Sequence, residues 1–199
     1  MHGTNVSRHF GTKPIFILII SNLFLLIFQL RENNSKLIFS KIESALITNH
    51  IDSYSLIGKS VKFVGIEKIF NSGNEDVIGD SPSLLLILDE LSCDVCLEEV
   101  TKIALEMAKK YGRNKVSAII KSDNIRYIQG FIRINKIDFD VYYCSDNHFF
   151  EINEIIHTPL LIVTNEFSRV IAAHIPIKGN PQYSGPFHFF CTDYFSQIN

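Results

Sequence analysis

Tryptophan is absent from this 199-residue chain, and a surplus of either charge is missing as well. Its 19 Lys and Arg face 21 Asp and Glu, a formal net charge of -2. Without a basic excess, the electrostatic footprint of a nucleic-acid-binding protein is missing. Without a long single-sign run, so is a charged interaction tail. No internal repeat runs through the chain. Cysteine is scarce, with four residues, and only Cys93 and Cys96 stand in a Cys-x-x-Cys pair. A zinc site built from two such pairs is therefore excluded, and the haem-attachment pattern Cys-x-x-Cys-His fails at Leu97.

What is present is core material. The chain is 46% hydrophobic and 20% charged, which predicts a mostly globular protein. Its length suits one domain with a modest extension. Residues 14–30, PIFILIISNLFLLIFQL, carry no charge. As a helix they span roughly 25 Å, at the short end for a bilayer crossing. A cleaved signal peptide needs small residues after its apolar core, and Phe28-Gln29-Leu30-Arg31-Glu32 has none. The expectation is a short tail over 1–13, a single transmembrane signal anchor over 14–30 and a juxtamembrane linker over 31–55. One domain over 56–199 follows. Arg8 and Lys13 before the segment and Arg31, Lys36 and Lys41 after it leave the positive-inside count undecided. Translocation of long domains depends little on charge, and disulfides persist in oxidising compartments. The C-terminal domain is therefore expected outside the cytoplasm, in the periplasm if the source is bacterial.

Periodicity sets the rest. Residues 61–70 alternate loosely as a first strand, and Gly73, Gly79 and Pro82 mark 71–83 as a loop. Leu84-Leu85-Leu86-Ile87-Leu88 is a strand apolar on both faces. Cys96, Val100, Ile103, Ala104, Met107, Ala108 and Tyr111 recur at helical spacing. Glu98 and Glu99 are assigned to the first turn, Lys109 and Lys110 to the last, and Gly112 follows, so a helix is predicted over 94–111. Further predicted elements are a strand at 116–120, a helix at 123–134, a strand at 139–143 and a helical turn at 147–154. A hairpin of 160–163 with 169–174 and an amphipathic segment at 186–198 complete the chain. The order implies an α/β protein with a central mixed sheet flanked by helices.

Cys93-Asp94-Val95-Cys96 lies between the apolar strand and the start of this helix. A helix N-terminus offers unpaired N–H groups and the positive end of the dipole, both of which stabilise a thiolate. Two thiols at this spacing can close and reopen a disulfide, although Cys-x-x-Cys also serves zinc. About sixty residues later, Thr158-Pro159 directly precedes the predicted hairpin.

The paired motifs, in this order, resemble the thioredoxin superfamily. The tether and the insert over 135–156 are most similar to membrane-anchored thioredoxin-like proteins of the TlpA/ResA type. The resemblance covers 56–199 and implies a thioredoxin-like fold behind the transmembrane helix. It implies that Cys93 is the exposed nucleophile and Cys96 the buried resolving thiol. It implies a cis Thr158–Pro159 bond whose backbone receives an extended substrate strand, and a carboxylate, Asp89 or Glu90, that accepts the Cys96 proton. The redox-active Cys93–Cys96 disulfide is the only cofactor it requires. The implied partners are cysteine-containing proteins and a membrane or soluble redox partner.

The chain also departs from the pattern. Ser92 stands where thioredoxin has tryptophan, and Asp94-Val95 replaces Gly-Pro. The peroxiredoxin motif is missing, with Leu86 and Glu90 at its proline and threonine positions. Asp94, Glu98 and Glu99 oppose the helix dipole, so the Cys93 pKa is expected not to fall far, with a reducing or mid-range potential. Two alternatives stay open. One is a non-catalytic thioredoxin-like binding or assembly module. The other is a metal-handling protein that uses Cys93, Cys96 and His157. Cys144 and Cys191 sit in apolar surroundings and read as small buried hydrophobes.

Overall fold

The computed structural model describes residues 51–70, 78–79 and 81–198, together with Gln29. The expected tail, the anchor over 14–30 apart from Gln29, and 31–50 of the expected linker lie outside the described residues, as do 71–77 and 80 of the predicted loop. Among the described residues no helix is long and apolar enough to cross a membrane.

Six strands form one mixed sheet: β1 (Glu67–Phe70), β2 (Ser83–Asp89), β3 (Val116–Lys121), β4 (Asp140–Cys144), β5 (Leu160–Thr164) and β6 (Val170–His174). Their order across the sheet is β1-β4-β3-β2-β5-β6. The three central strands β2, β3 and β4 are parallel, while β1, β5 and β6 run antiparallel to their neighbours. Residues 51–56 are helical (α1). The other helices are α2 (Asp94–Tyr111), α3 (Ile125–Asn135), α4 (His148–Ile152) and α5 (Gly185–Gln197).

The apolar run in β2 explains the layering. Leu84, Leu86 and Leu88 point to one face, and Leu85 and Ile87 to the other. The first face packs against Val100 and Met107 of α2, Ile128 and Phe131 of α3, and Phe187, Cys191 and Phe195 of α5. The crossovers from β2 to β3 and from β3 to β4 step the same way across the sheet. The right-handed rule then places α2 and α3 on the same side. The second face is covered by Phe149 and Phe150 of α4 and by Leu56 and Val61 of the N-terminal segment.

That segment is bound to the domain. Gly58 N–H donates to the Val170 carbonyl at 2.8 Å, Val170 N–H to Lys59 at 2.9 Å and Val61 N–H to Ser168 at 2.8 Å. Asn153 exchanges two hydrogen bonds with the Lys62 backbone. The first strand accordingly spans 67–70 rather than 61–70. Residues 58–61 are engaged along the start of β6, and Gly65 adopts φ +77, which breaks an extended run.

Candidate active site

Helix α2 runs over Asp94–Tyr111, as its periodicity predicts, with Cys93 as N-cap. Asp94 is its first-turn acid, so Glu98 and Glu99 fall one turn further in than the sequence assigns them. The connection from β2 to this helix is a short built turn. The Asp89 Oδ1 accepts from the Leu91 N–H at 3.0 Å and from the Ser92 hydroxyl at 3.0 Å. The Ser92 Oγ in turn accepts from the Asp89 N–H at 3.1 Å. This closed ring of bonds hands the chain from the strand end to the N-cap in three residues.

The two cysteines differ in environment. Cys93 is half-buried and Cys96 is 5% exposed, and both are free thiols. The Cys93 thiol closes no side-chain cap hydrogen bond. Its pKa is nevertheless held below the usual thiol value. The Cys96 backbone N–H contributes most, then the Cys96 thiol, and burial opposes them; the Val95 N–H and the Lys178 charge assist. Cys96 is pushed up to about 12, chiefly by burial, then by the Cys93 sulfur and the Glu99 carboxylate. None of Asp94, Glu98 and Glu99 is among the groups that set the Cys93 pKa, and the Glu99 charge bears on Cys96.

Thr158–Pro159 is a cis peptide bond. Register places it, since Leu160 of β5 stands opposite Ile87 of β2. Pro159 and Thr158 therefore enter β5 at the end of the sheet from which the 90–93 turn leaves.

The two candidate carboxylates are otherwise engaged. Asp89 builds the turn just described, and Glu90 accepts a hydrogen bond from the Ser122 hydroxyl. His157 faces Asp52 of α1, with Nε2 to Oδ2 at 2.9 Å. Among the described residues no group of three or more His, Cys, Asp or Glu side chains is placed to hold a metal ion.

The fold also gathers groups that the sequence spacing does not join. Ser184 is buried, donates to the Glu99 carboxylate and lies 2.6 Å from the His174 Nε2. A polar chain thus runs from β6 through the start of α5 to the turn of α2 that follows Cys96. Lys178 lies in the same β6–α5 connection. Cys144 and Cys191 are buried and raised to about 11 and about 12, mainly by burial, which keeps them inert at neutral pH.

No protein-family model matches this chain, and no curated protein matches it. Solved structures do. The thioredoxin domain of a thiol-disulfide oxidoreductase from Bacteroides vulgatus superposes with a TM-score of 0.49 at 13% identity, covering 67% of this chain and 96% of that one. StoA from Bacillus subtilis gives 0.43 at 16% identity, over 60% and 96%. A secreted Mycobacterium tuberculosis disulfide oxidoreductase, homologous to E. coli DsbE, gives 0.42 at 14% identity, over 53% and 79%. The parallel β2-α2-β3 unit with its cysteines at the helix start, the cis-proline opening an antiparallel hairpin and the closing helix on the α2 side are the connections of one architecture, and the chain has a thioredoxin-like fold carrying Cys93-x-x-Cys96.

Proposed function

We propose that the chain is a thiol–disulfide oxidoreductase that exchanges disulfides with cysteine-containing proteins through Cys93 and Cys96. The observation that carries this reading is the asymmetry of the pair at the helix start: a half-buried thiol whose pKa is lowered beside a buried thiol whose pKa is raised to about 12. In the reducing direction the Cys93 thiolate attacks one sulfur of a client disulfide. A Cys93–client disulfide forms, and the other client sulfur leaves as a thiolate and takes up a proton. Cys96 then loses its proton and attacks the Cys93 sulfur. The Cys93–Cys96 disulfide closes and the second client thiol departs. The client has gained two electrons and two protons, which a membrane or soluble dithiol partner restores to the pair. The oxidising direction is the same sequence reversed.

The backbone at Thr158 and Pro159 is the surface on which an extended client strand would lie beside Cys93. Asp89 or Glu90 remains a candidate proton acceptor for Cys96, and would need to leave its present hydrogen bonds to serve. Residues 14–30 supply the apolar anchor that would hold the domain at a membrane, with its exchange site outside the cytoplasm. The test is trapping. Cys96→Ser should accumulate a mixed disulfide between Cys93 and a disulfide-bearing client, visible as a reducible higher-mass species. Cys93→Ser should accumulate none. Equal trapping by the two variants, or by neither, contradicts the assignment.

A further inference from the structure

A groove of about 410 Å³ runs between α2 and the segment 181–188. Val95, which stands between the two thiols, lines its mouth. The α2 wall carries Glu98, Glu99 and Glu106 against one lysine, Lys102, and the facing wall contributes Pro181 and His188. Glu99 is tied to Ser184, and Glu106 lies 3.1 Å from the His188 Nε2. Glu98 is exposed with no ion pair among the described residues, and Asp94 adds a fourth carboxylate at the helix start. Lys178, facing the thiols, is the second cation of the area.

Close to Cys93 and the cis-proline along the chain, apolar side chains are left in solvent. Leu91 is 93% exposed, Val95 49% and Ile156 75%. Leu91 and Val95 each lie two residues from Cys93, and Ile156 precedes the cis-proline at the same end of the sheet. Apolar exposure gathered at one reactive thiol marks a contact surface.

We propose that this groove receives an extended, basic segment of the client protein, with the client cysteine at Cys93 and a lysine or arginine over Glu98 or Glu106. The identity of the client as a thiol protein rests on the oxidoreductase reading; the charge preference rests on the groove. Helical rise puts Glu98 about 7.5 Å and Glu106 about 20 Å along the axis from Cys93. An extended chain advances about 3.3 Å per residue. The basic side chain therefore belongs about two to six residues from the client cysteine.

The experiment uses two labelled ten-residue peptides with serine in place of the reactive cysteine. One has lysine, the other glutamate, three and six residues away. Fluorescence anisotropy with the full chain reads their affinities at low salt and at about 1 M salt, where the screening length is about 3 Å. The lysine peptide should bind about tenfold more tightly at low salt. The preference should collapse in high salt and reverse in the double variant Glu98→Lys, Glu106→Lys. Equal affinities, or a preference unchanged by the double variant, overturn the proposal. Oxidation of the reduced chain by the uncharged hydroxyethyl disulfide is measured separately. If that reaction fails while the peptide preference holds, the oxidoreductase reading fails and the charged groove stands. If it proceeds without any preference, the groove proposal alone fails.

Discussion

Substitution of Asp89 separates a builder of the site from a proton carrier. Asp89 Oδ1 accepts two hydrogen bonds, from the Leu91 N–H and the Ser92 hydroxyl, each at 3.0 Å. A hydrogen bond is worth about 0.5–1.5 kcal/mol net, and more when the acceptor is charged. Asp89 is half-buried, so the figure for an uncharged bond applies to each of the two, and Asp89→Ala should cost about 1–3 kcal/mol. With a urea slope of about 2 kcal/mol/M, the unfolding midpoint should fall by about 0.5–1.5 M. Exchange should slow in parallel, because the turn that delivers Cys93 to the helix N-cap is loosened. Asp89→Asn keeps an oxygen in the same place and should recover most of the stability and of the exchange rate. Urea unfolding and stopped-flow exchange with a small disulfide read both quantities. If Asp89→Asn is as unstable as Asp89→Ala, the hydrogen-bond reasoning is refuted. If Asp89→Asn folds normally yet loses the pH dependence of Cys96 resolution, Asp89 carries the proton after all.

Other outcomes follow from the same geometry. On the native reduced chain at pH 7, iodoacetamide should label Cys93 alone. Cys96 and Cys191, at about 12, and Cys144, at about 11, remain protonated and buried; a second rapid adduct by mass spectrometry contradicts this. The Cys93 rate should rise with pH through a midpoint below that of an ordinary thiol, since its pKa is lowered. Lys178→Gln should move that curve to higher pH, slowing alkylation near pH 6 while leaving the plateau at pH 10 unchanged. Lys68→Met should remove the 2.6 Å ion pair to the buried Asp140 carboxylate and cost about 1.5–3 kcal/mol by urea unfolding. Burial is the largest single influence and opposes charge on Lys68, but the hydrogen bonds and charges of Asp140 and Tyr142 together outweigh it and its pKa is raised. The stabilisation is therefore complete at neutral pH and is lost only as pH rises through the lysine range.

The elements that were legible in the sequence are those with several independent signals. Helix α2 carries apolar periodicity, an acid at its start, lysines at its end and Gly112 beyond it, and it forms over the predicted residues. The thioredoxin-like connection was legible because Cys93-x-x-Cys96 and Thr158-Pro159 each stand beside an apolar run of strand length. The first strand was read too long, because the alternation at 61–66 reflects Val61, Phe63 and Ile66 packing on the second-face core rather than sheet pairing. The link from Glu99 through Ser184 to His174 left no trace in the sequence. Glu99 and Ser184 are 85 residues apart and meet only because α5 packs beside α2. Lys178 was equally hidden, since its effect on both thiols depends on where the β6–α5 connection turns.

The most direct test of the account is the redox equilibrium of Cys93 and Cys96 in glutathione buffers, with the free thiols trapped and counted by mass. The account predicts one reversible two-electron couple confined to these two cysteines, with Cys144 and Cys191 unchanged throughout. A chain that forms no Cys93–Cys96 disulfide at any ratio of oxidised to reduced glutathione, or one that oxidises irreversibly, would contradict it.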